Sequence, residues 1–391
     1  MPKDIDLGKF RQETRIAMAG RDPARSEGAV NPPVHRASTI VIPKVDGLYG
    51  EGKRTYALDG MAVHEALKDA LLSVEGGAGA TLASSGLLAC TLAILAFAKE
   101  GGEILVVDSV YGPTRRFCNR MLKRLGVRTI YYDPMIGAGI ADLITDKTIA
   151  VFLESPGSLT FEVQDVPAIA AAARARHVPT IIDNTWSAGL YFKPFDHGVD
   201  LSIQALSKYQ AGHADLLMGA VLASTKQLSE RVRWAAKELG SGVGPDDAFL
   251  ALRGMRSLPA RLAQQSQAAL EIARWLASRP EVARVLHPAL PSCPGHEFWS
   301  RDFHGASGLF SVVLHDAARE RLPAMLEHLE VFSMGFSWGG FESLIIPCDP
   351  QLERTAAPWR AEGPLVRLSI GLEHPADLIS DLEAGFARLA G

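Results

Sequence analysis

The segment that decides the fold reads TIIDNTW at residues 180–186 and LSIQALSKYQAGHAD at residues 201–215. Each part begins with a short apolar run of the kind that forms a buried strand. The first run ends at Asp183, and Lys208 follows the second run after a short turn. In open α/β sheets, ligands bind outside the carboxyl ends of the strands. The pattern therefore predicts that Asp183 and Lys208 face one crevice.

A lysine beside a carboxylate in a dry crevice suits the chemistry of an aldehyde cofactor. The amine can form a Schiff base with the aldehyde, and the carboxylate can keep a pyridine nitrogen protonated. Taken singly, Asp183 would more often be a strand-end cap and Lys208 a solvated loop lysine. The residues around the pair decide between these interpretations.

The neighbouring motifs resemble those of a known family. Asp183-Asn184-Thr185-Trp186, Ser207-Lys208-Tyr209 and Gly212-His213-Ala214-Asp215 are similar to the signature of the Cys/Met-metabolism enzymes that depend on pyridoxal 5′-phosphate (PLP). The resemblance implies that Lys208 holds PLP and that Asp183 pairs with its pyridine nitrogen. It also implies the PLP-dependent transferase fold type I, an α/β fold. We therefore expect a mostly parallel central sheet flanked by helices, with a smaller C-terminal α+β domain.

Apolar strands and helices alternate through the first part of the chain, which by itself indicates a sheet with helices on both faces. The glycine-rich segment 240–245 interrupts this alternation and predicts a domain boundary. We expect an N-terminal arm at 1–55, a PLP-binding α/β domain at 56–243 and a C-terminal α+β domain at 244–391. A long helix should open the last domain, with a break near Pro259.

The composition excludes several classes of protein. The chain has 391 residues, 47% of them hydrophobic and 21% charged, which allows one large and one smaller core. A net charge of −4 gives no electrostatic basis for binding nucleic acid or an anionic membrane. The four cysteines are scattered without a C-x-x-C pair, so neither a disulfide framework nor a metal site is expected.

The hydropathy pattern also bears on location. The longest apolar run, residues 87–98, is shorter than the ~20 residues needed to cross a bilayer. The N-terminus is rich in Lys, Asp and Arg and lacks the apolar stretch of a signal peptide. The sequence therefore predicts a cytoplasmic protein.

Ser84-Ser85-Gly86-Leu87 joins an apolar strand to a helix. The free amides at a helix N-terminus can bind an anion, although a serine that only caps a core helix looks the same. The resemblance places the PLP phosphate on the amides of Gly86 and Leu87. It also implies that Tyr111, just beyond another strand, stacks on the PLP ring and acts in catalysis. A position in the wall of the core is the alternative for this tyrosine.

Two features of the C-terminal part concern the substrate. Arg367 lies within an apolar run, where a buried guanidinium needs a carboxylate partner. A structural ion pair would meet that need, whereas the resemblance assigns Arg367 to the substrate α-carboxylate. The Ser-Trp-Gly-Gly motif at 337–340 resembles the corresponding motif of the β-eliminating members of the family more than that of the γ-acting members. It implies that Ser337 and Trp338 contact the substrate.

The chain departs from the family pattern at the phosphate site. Many members carry an arginine two residues after the tyrosine that matches Tyr56, and it reaches the PLP of a neighbouring subunit. This chain has Leu58 there, which leaves Arg54 as the nearest cation. Many members also have a serine where this chain has Ala205, which leaves Ser207 as the nearest hydroxyl. The resemblance implies a homotetramer of dimers that share active sites, with Tyr56 contributing to cofactor binding and catalysis.

The residues and the resemblance together predict a PLP-dependent carbon–sulfur lyase whose substrate is a small-molecule amino acid that contains sulfur. The expected reaction is β-elimination, which converts L-cystathionine to homocysteine, pyruvate and ammonia in the transsulfuration branch of methionine biosynthesis. Two alternatives stay open. One is a γ-lyase or γ-replacement enzyme of the same family. The other is a cofactor-binding homologue that lost catalysis when leucine replaced the arginine.

Overall fold

The computed structural model describes residues 7–24, 26–49 and 54–390. Parts of the expected N-terminal arm, at 1–6, 25 and 50–53, lie outside the described residues. In the described ranges, no helix is both long enough and apolar enough to cross a membrane.

The described part of the arm packs on the body of its own chain. It contains α1 (Gln12–Met18) and α2 (Val45–Leu48), which are separated by irregular chain. Ile16 of α1 is fully buried. The Arg256 guanidinium donates from Nη1 to the carbonyl oxygens of Ile16 and Ala19 at 2.9 and 2.6 Å. These contacts satisfy carbonyl groups at the end of α1, which have no partner within the helix.

A seven-stranded sheet forms the centre of the larger core. Its strands are β1 (Gly79–Ala83), β2 (Glu103–Val107), β3 (Arg128–Tyr132), β4 (Thr148–Glu154), β5 (Thr180–Asp183), β6 (Leu201–Gln204) and β7 (Gly219–Ala223). The spatial order is β1-β7-β6-β5-β4-β2-β3. Only the two pairings of β7 are antiparallel, so the predicted mostly parallel sheet is confirmed.

Apolar residues cover both faces of this sheet. Along β7, Val221 and Ala223 belong to one apolar cluster, whereas Ala220 and Leu222 belong to another. Alternate residues of a strand point to opposite faces, so the two clusters lie on the two sides of the sheet. The helices that pack there are α3 (Ala62–Glu75), α4 (Gly86–Leu95), α5 (Gly112–Phe117), α6 (Val166–Ala175) and α7 (Lys226–Glu238).

One long helix, α8 (Pro245–Ala277), connects the two cores. Residues near its start, such as Leu252 and Met255, pack with the large sheet, whereas Ile272 and Leu276 pack in the C-terminal core. The expected break near Pro259 is wrong, because the helix runs through this residue. Pro259 has no backbone N–H and so removes one hydrogen bond of the helix. The apolar side chains buried at both ends of α8 offset this loss and keep the helix continuous. The boundary at residue 243 stays a prediction.

A smaller antiparallel sheet forms the C-terminal core, which confirms the expected α+β part. Its strands are β8 (Val282–Leu286), β9 (Leu309–Leu314), β10 (Leu344–Pro347) and β11 (Leu365–Ser369), in the order β10-β11-β9-β8. Its helices are α9 (His296–Asp302), α10 (Leu322–Leu326) and α11 (Pro375–Ala390). Leu378, Leu382 and Phe386 place one face of α11 in this core.

The topology brings the predicted site residues to one edge of the large sheet. β1, β2, β4, β5 and β6 all run in the same direction, because each pairing between them is parallel or passes through the reversed strand β7. Glu154 and Asp183 are paired at the carboxyl ends of β4 and β5. Tyr111 follows β2, and Lys208 follows β6.

Candidate active site

Thr185 joins the two loops that carry Asp183 and Lys208. Its hydroxyl donates to Asp183 Oδ1 at 2.6 Å, and its backbone N–H donates to the same oxygen at 3.1 Å. The hydroxyl oxygen in turn accepts from the backbone N–H of Ala205, at 2.9 Å, in the turn before Lys208. Sequence reasoning did not single out Thr185. An aspartate followed two residues later by threonine is a local hydrogen-bonding pattern that could have found it.

Burial governs the chemistry of Asp183. It raises the pKa of the Asp183 carboxyl, while the two bonds from Thr185 and the charge of Lys208 act in the opposite direction. The second carboxylate oxygen, Oδ2, receives the thiol of Cys90 on α4 at 3.6 Å. Burial and the neighbouring Asp183 raise the pKa of the Cys90 thiol well above its usual value. Cys90 therefore stays a neutral donor beside the carboxylate.

Lys208 is a partly desolvated amine with one polar partner among the described residues. Its Nζ donates to Ser337 Oγ at 2.9 Å and lies 5.1 Å from the centre of the Trp338 ring. Burial and the positive charge of Arg367 lower the pKa of Lys208 to about 8, although Asp183 acts in the opposite direction. The amine is therefore available as a base or a nucleophile closer to neutral pH than an exposed lysine.

The loop at 337–340 lies directly on the Lys208 turn. Gly339 has a φ of +82°, and a Cβ at this position would lie 3.0 Å from the Tyr209 nitrogen and 3.2 Å from the Lys208 carbonyl carbon. Both the backbone conformation and the space require glycine. Trp338, the residue before Gly339, packs edge-on against Tyr209 with 5.4 Å between the ring centroids. The Ser-Trp-Gly-Gly motif thus holds the C-terminal part against the lysine.

Arg367 is a buried guanidinium on β11. Its Nη2 donates to the carbonyl oxygens of Phe336 and Ser337, at 2.8 and 3.1 Å. The described residues form no ion pair with it, so the structural alternative raised for this arginine has no partner there. Burial lowers the pKa of Arg367, which remains a cation. A positive charge held in this way is ready for a carboxylate brought by a ligand.

The start of α4 offers unpaired backbone donors. Ser85 caps the helix, because its hydroxyl accepts from the backbone N–H of Leu88 at 3.0 Å. The amides of Gly86 and Leu87 donate to no acceptor among the described residues. A Cβ on Gly86 would lie 2.6 Å from the Cβ of Ala205, so this helix end lies against the turn that leads to Lys208. An anion bound here would meet the positive end of the helix dipole.

Glu154 holds Tyr111 at the edge of the site. The backbone N–H of Tyr111 donates to Glu154 Oε2 at 2.6 Å, and the Tyr111 side chain is 43% exposed. Burial and the neighbouring Asp183 raise the pKa of the Glu154 carboxyl well above its usual range. The pKa of Tyr111 is raised as well, mainly by burial. Sequence reasoning gave Glu154 no role, because nothing local links it to a residue 43 positions away.

Three other residues predicted to bind the PLP phosphate, Ser207, Tyr56 and Arg54, form no hydrogen bond or ion pair with the start of α4 among the described residues. Ser207 Oγ donates to the carbonyl oxygen of Met218 at 3.2 Å and accepts from its N–H at 2.9 Å. The Ser207 proton is thus already used within the protein. Tyr56 is 54% exposed, and Arg54 Nη2 lies 4.0 Å from Glu65 Oε1 at the surface. No bond among the described residues joins Tyr56 or Arg54 to Lys208 of the same chain.

The donor set fits PLP, the cofactor that the resemblance implies. An amine with a lowered pKa suits its aldehyde, and a buried carboxylate suits its pyridine nitrogen. Unpaired amides at a helix start suit its phosphate. The described residues contain no group of three or more His, Cys, Asp or Glu side chains that could hold a metal ion.

The electrostatics of Lys208 can be tested on the cofactor-free protein. We expect acylation of the Lys208 amine to rise with pH through a midpoint near 8, because the neutral amine predominates above its pKa of about 8. Arg367→Leu should raise this midpoint by removing a nearby cation, whereas Asp183→Asn should lower it by removing an anion. Competitive labelling at a series of pH values, followed by mass spectrometry of the Lys208 peptide, measures all three. A midpoint near 10.5 in every form would contradict the assignment.

Comparisons with known proteins agree with this geometry. The family described as "Cys/Met metabolism PLP-dependent enzyme" matches residues 13–387. A Rhizobium johnstonii protein named "Putative cystathionine beta-lyase" is 48% identical over 390 residues and covers 98% of each chain. The cystathionine beta-lyase MetC of Escherichia coli is 44% identical over 389 residues, 96% of this chain and 98% of that one. The crystal structure of cystathionine gamma-lyase from Lactobacillus plantarum superposes with a TM-score of 0.89 at 30% identity, over 97% of this chain and 100% of that one. The chain therefore belongs to the Cys/Met-metabolism family of PLP-dependent enzymes.

Proposed function

We propose that this protein catalyses the PLP-dependent β-elimination of L-cystathionine to homocysteine, pyruvate and ammonia. One observation carries the proposal: the amine of Lys208 and the guanidinium of Arg367 converge on Ser337. Lys208 Nζ donates to the Ser337 hydroxyl at 2.9 Å, and Arg367 Nη2 donates to the Ser337 carbonyl oxygen at 3.1 Å. A base and a carboxylate-binding group thus contact the same residue. The names of the two relatives at 48% and 44% identity support cystathionine as the substrate.

Each part of the site has a binding task. Lys208 Nζ would hold the aldehyde carbon of PLP until substrate arrives, and Asp183 would keep the pyridine nitrogen protonated. When bound, PLP supplies a ring that accepts the electrons released at the substrate Cα. The amides of Gly86 and Leu87 would hold the phosphate. Arg367 would bind the substrate α-carboxylate through guanidinium N–H groups that are not already bonded to backbone carbonyl oxygens, which fixes the orientation of the Cα–H bond.

Lys208 then moves the proton. Its pKa of about 8 leaves part of the amine neutral near pH 7, so Nζ can remove the Cα proton as a general base. The electron pair from the Cα–H bond forms a double bond between Cα and Cβ, and the Cβ–S pair leaves with sulfur. The Lys208 ammonium can return its proton to that sulfur, which gives the homocysteine thiol. The other product, aminoacrylate, is then hydrolysed by water to pyruvate and ammonia. Ser337 orients Nζ during both transfers through its hydroxyl oxygen.

Tyr111 and Trp338 would shield this chemistry from water. Tyr111 lies beyond β2, where its partly exposed ring can stack on the planar cofactor. Trp338 lies beside the Lys208 amine at 5.1 Å from its ring centre. Trp338 and Ser337 would then line the pocket on the side where they contact the substrate. Excluding water strengthens the contacts of Arg367 and Asp183 with charged groups.

The γ-acting alternative differs in one proton transfer. Elimination from Cγ requires a second proton to leave Cβ, so the base must reach two carbons in turn. A γ-lyase structure at 30% identity keeps this alternative open. The bond from Lys208 to Ser337 favours β-elimination, because it holds the amine in one place.

Product identity tests the function. Purified protein loaded with PLP and given L-cystathionine should release pyruvate and homocysteine, whereas γ-elimination would release 2-oxobutyrate and cysteine. In Lys208→Ala, turnover should fall by several orders of magnitude and the visible absorbance of bound PLP should change, since the covalent link to the protein is lost. Keto-acid analysis by mass spectrometry separates the outcomes. A predominance of 2-oxobutyrate would reject β-elimination, and no product from the loaded protein would favour the non-catalytic homologue.

Arg367→Leu tests the substrate clamp. A charge-assisted arginine–carboxylate contact contributes about 1.5–3 kcal/mol, so kcat/KM should fall roughly tenfold to more than a hundredfold. Bound PLP should be retained, because Arg367 is assigned to the substrate alone. Steady-state kinetics and the visible absorbance of the variant measure the two effects. Loss of the folded protein on substitution would instead favour a structural role for this arginine.

The proposal also includes the assembly and its place in the cell. A cytoplasmic homotetramer of dimers would place Tyr56 and Arg54 of one subunit at the phosphate of another. The exposure of Tyr56 in the single chain supports this arrangement, since a half-exposed tyrosine beside the arm can complete a neighbouring site. Leu58 cannot pair with a phosphate, and Ser207 could help only by releasing Met218. Arg54 is therefore the cation that we assign to the neighbour's phosphate.

Arg54→Ala should weaken PLP binding by about 1–3 kcal/mol, because a phosphate with nearly two negative charges loses its full positive partner. Leu58→Arg in the same background should restore part of the affinity. Arg36→Ala is a matched control, since Arg36 is an exposed arginine of the same arm that pairs with Asp246 at 2.6 Å. Equilibrium dialysis of PLP against the variants decides the point. Equal affinities of Arg54→Ala and the wild type would remove Arg54 from the site.

A further inference from the structure

A buried glutamate, Glu75, lies behind the loops that carry Asp183 and Lys208. It is the last residue of α3 and is 4% exposed. Three side chains donate to its carboxylate: Asn184 Nδ2 to Oε1 at 2.7 Å, Gln204 Nε2 to Oε2 at 2.9 Å, and the Ser202 hydroxyl to Oε1. All three donors are themselves 0–1% exposed. A buried carboxylate that accepts hydrogen bonds from three buried side chains holds those side chains in fixed positions.

The donors come from the two strands that end in the site. Asn184 directly follows Asp183, whereas Ser202 and Gln204 belong to β6, whose end leads to Lys208. Gln204 Nε2 also donates to the carbonyl oxygen of Asn184 at 3.2 Å, which ties the two strand ends together. Glu75 therefore fixes the end of β5 and the end of β6 relative to a third element, α3.

The network continues to the far side of the lysine. Gln210, two residues after Lys208, is 1% exposed and donates from Nε2 to Gln204 Oε1 at 2.7 Å. Lys208 thus lies between Gln204 and Gln210, both of which belong to the chain of bonds that starts at Glu75. The backbone of the lysine turn is held before and after the reactive residue.

The polarity of the network requires an acceptor at position 75. Asn184 and Gln204 donate through NH₂ groups, which cannot accept a bond in return. An isosteric glutamine at position 75 would set its own NH₂ group against one of them. Lys193 supplies positive charge nearby, with its Nζ donating to the carbonyl oxygens of Gly189, at 2.6 Å, and Val74. A change that keeps the volume but removes the acceptor would leave buried donors unpaired.

We infer that Glu75 is a positioning residue for the active site, which sets the separation of Asp183 and Lys208 through Asn184 and Gln204. It touches neither substrate nor cofactor. This inference rests on the proposed assignment of Asp183 and Lys208 as the pair that holds PLP, and it is independent of the substrate. Small displacements of reacting groups, on the order of 1 Å, can lower rates by about a hundredfold.

Glu75→Gln tests the inference in the PLP-loaded protein. We expect the dissociation constant for PLP to rise about tenfold and kcat to fall roughly tenfold to a hundredfold, with KM changed less than about threefold. A shift of the visible absorption maximum of bound PLP should accompany these changes, since the groups around the ring move. Dialysis, absorption and steady-state kinetics are measured well below the thermal midpoint of each variant.

Glu103→Gln is the matched control. Glu103 is another buried glutamate, 8% exposed, but it begins β2 at the edge of the large sheet opposite the site, where it pairs with Arg128 at 2.8 Å. Its substitution should lower stability and leave the PLP dissociation constant and kcat within about twofold of wild type. If Glu75→Gln matches this control in all three readouts, Glu75 is only structural and the inference is overturned.

Ser202→Ala keeps the test valid if Glu75→Gln does not fold. It removes one donor from Glu75 Oε1 and leaves the bonds of Asn184 and Gln204 in place. We expect a smaller rise in the PLP dissociation constant, of about twofold to fivefold, and a matching fall in kcat. Unchanged values would overturn the inference. A normal spectrum and turnover in Lys208→Ala would instead reject the assignment of the lysine, so the two failures are distinguishable.

Discussion

Desolvation of charged groups at one edge of the large sheet is the constraint on which the site depends. Burial raises the pKa of the Asp183 and Glu154 carboxyls and lowers the pKa of Lys208 and Arg367. In each case the dry surroundings disfavour the charged form, so carboxyls and bases shift in opposite directions. These shifts bring the amine and the carboxyl groups closer in proton affinity. The edge is therefore prepared for proton transfer before any ligand binds.

That dry edge exists because the two cores are packed against each other. Gly339 allows the loop from the C-terminal core to lie on the backbone of Lys208, and Arg367 comes from the smaller sheet. The continuous helix α8 contributes buried residues to both cores, which fixes their relation. Lys208 and Arg367 thus belong to different parts of the chain and meet only in the assembled fold. Loosening this contact would hydrate Lys208 and return its pKa toward that of an exposed lysine.

Local patterns allowed most of the fold to be predicted, and they placed Asp183 and Lys208 at or just after the ends of neighbouring strands. Continuous apolar runs indicated the buried parallel strands, and charged residues at their ends indicated the crevice. Prediction failed at Pro259, because the helix around it is stabilised by burial against distant residues. It also assigned no role to Thr185, Glu154 or Glu75. The bonds of Glu154 and Glu75 reach partners 43 and more than 100 positions away, which no local pattern can show.

The sequence by itself determined which chemical groups are present and on which strand ends they lie. Apolar runs that end near a charged residue are enough for this, because such a run forms a buried strand and the charged residue then lies at its carboxyl end. Only the tertiary structure decided their proton affinities and partners. It left Arg367 without an ion-pair partner among the described residues, used the Ser207 hydroxyl within the protein, and placed Ser337 between Lys208 and Arg367. Burial and hydrogen bonding are properties of packed neighbours, and the neighbours here come from distant parts of the chain.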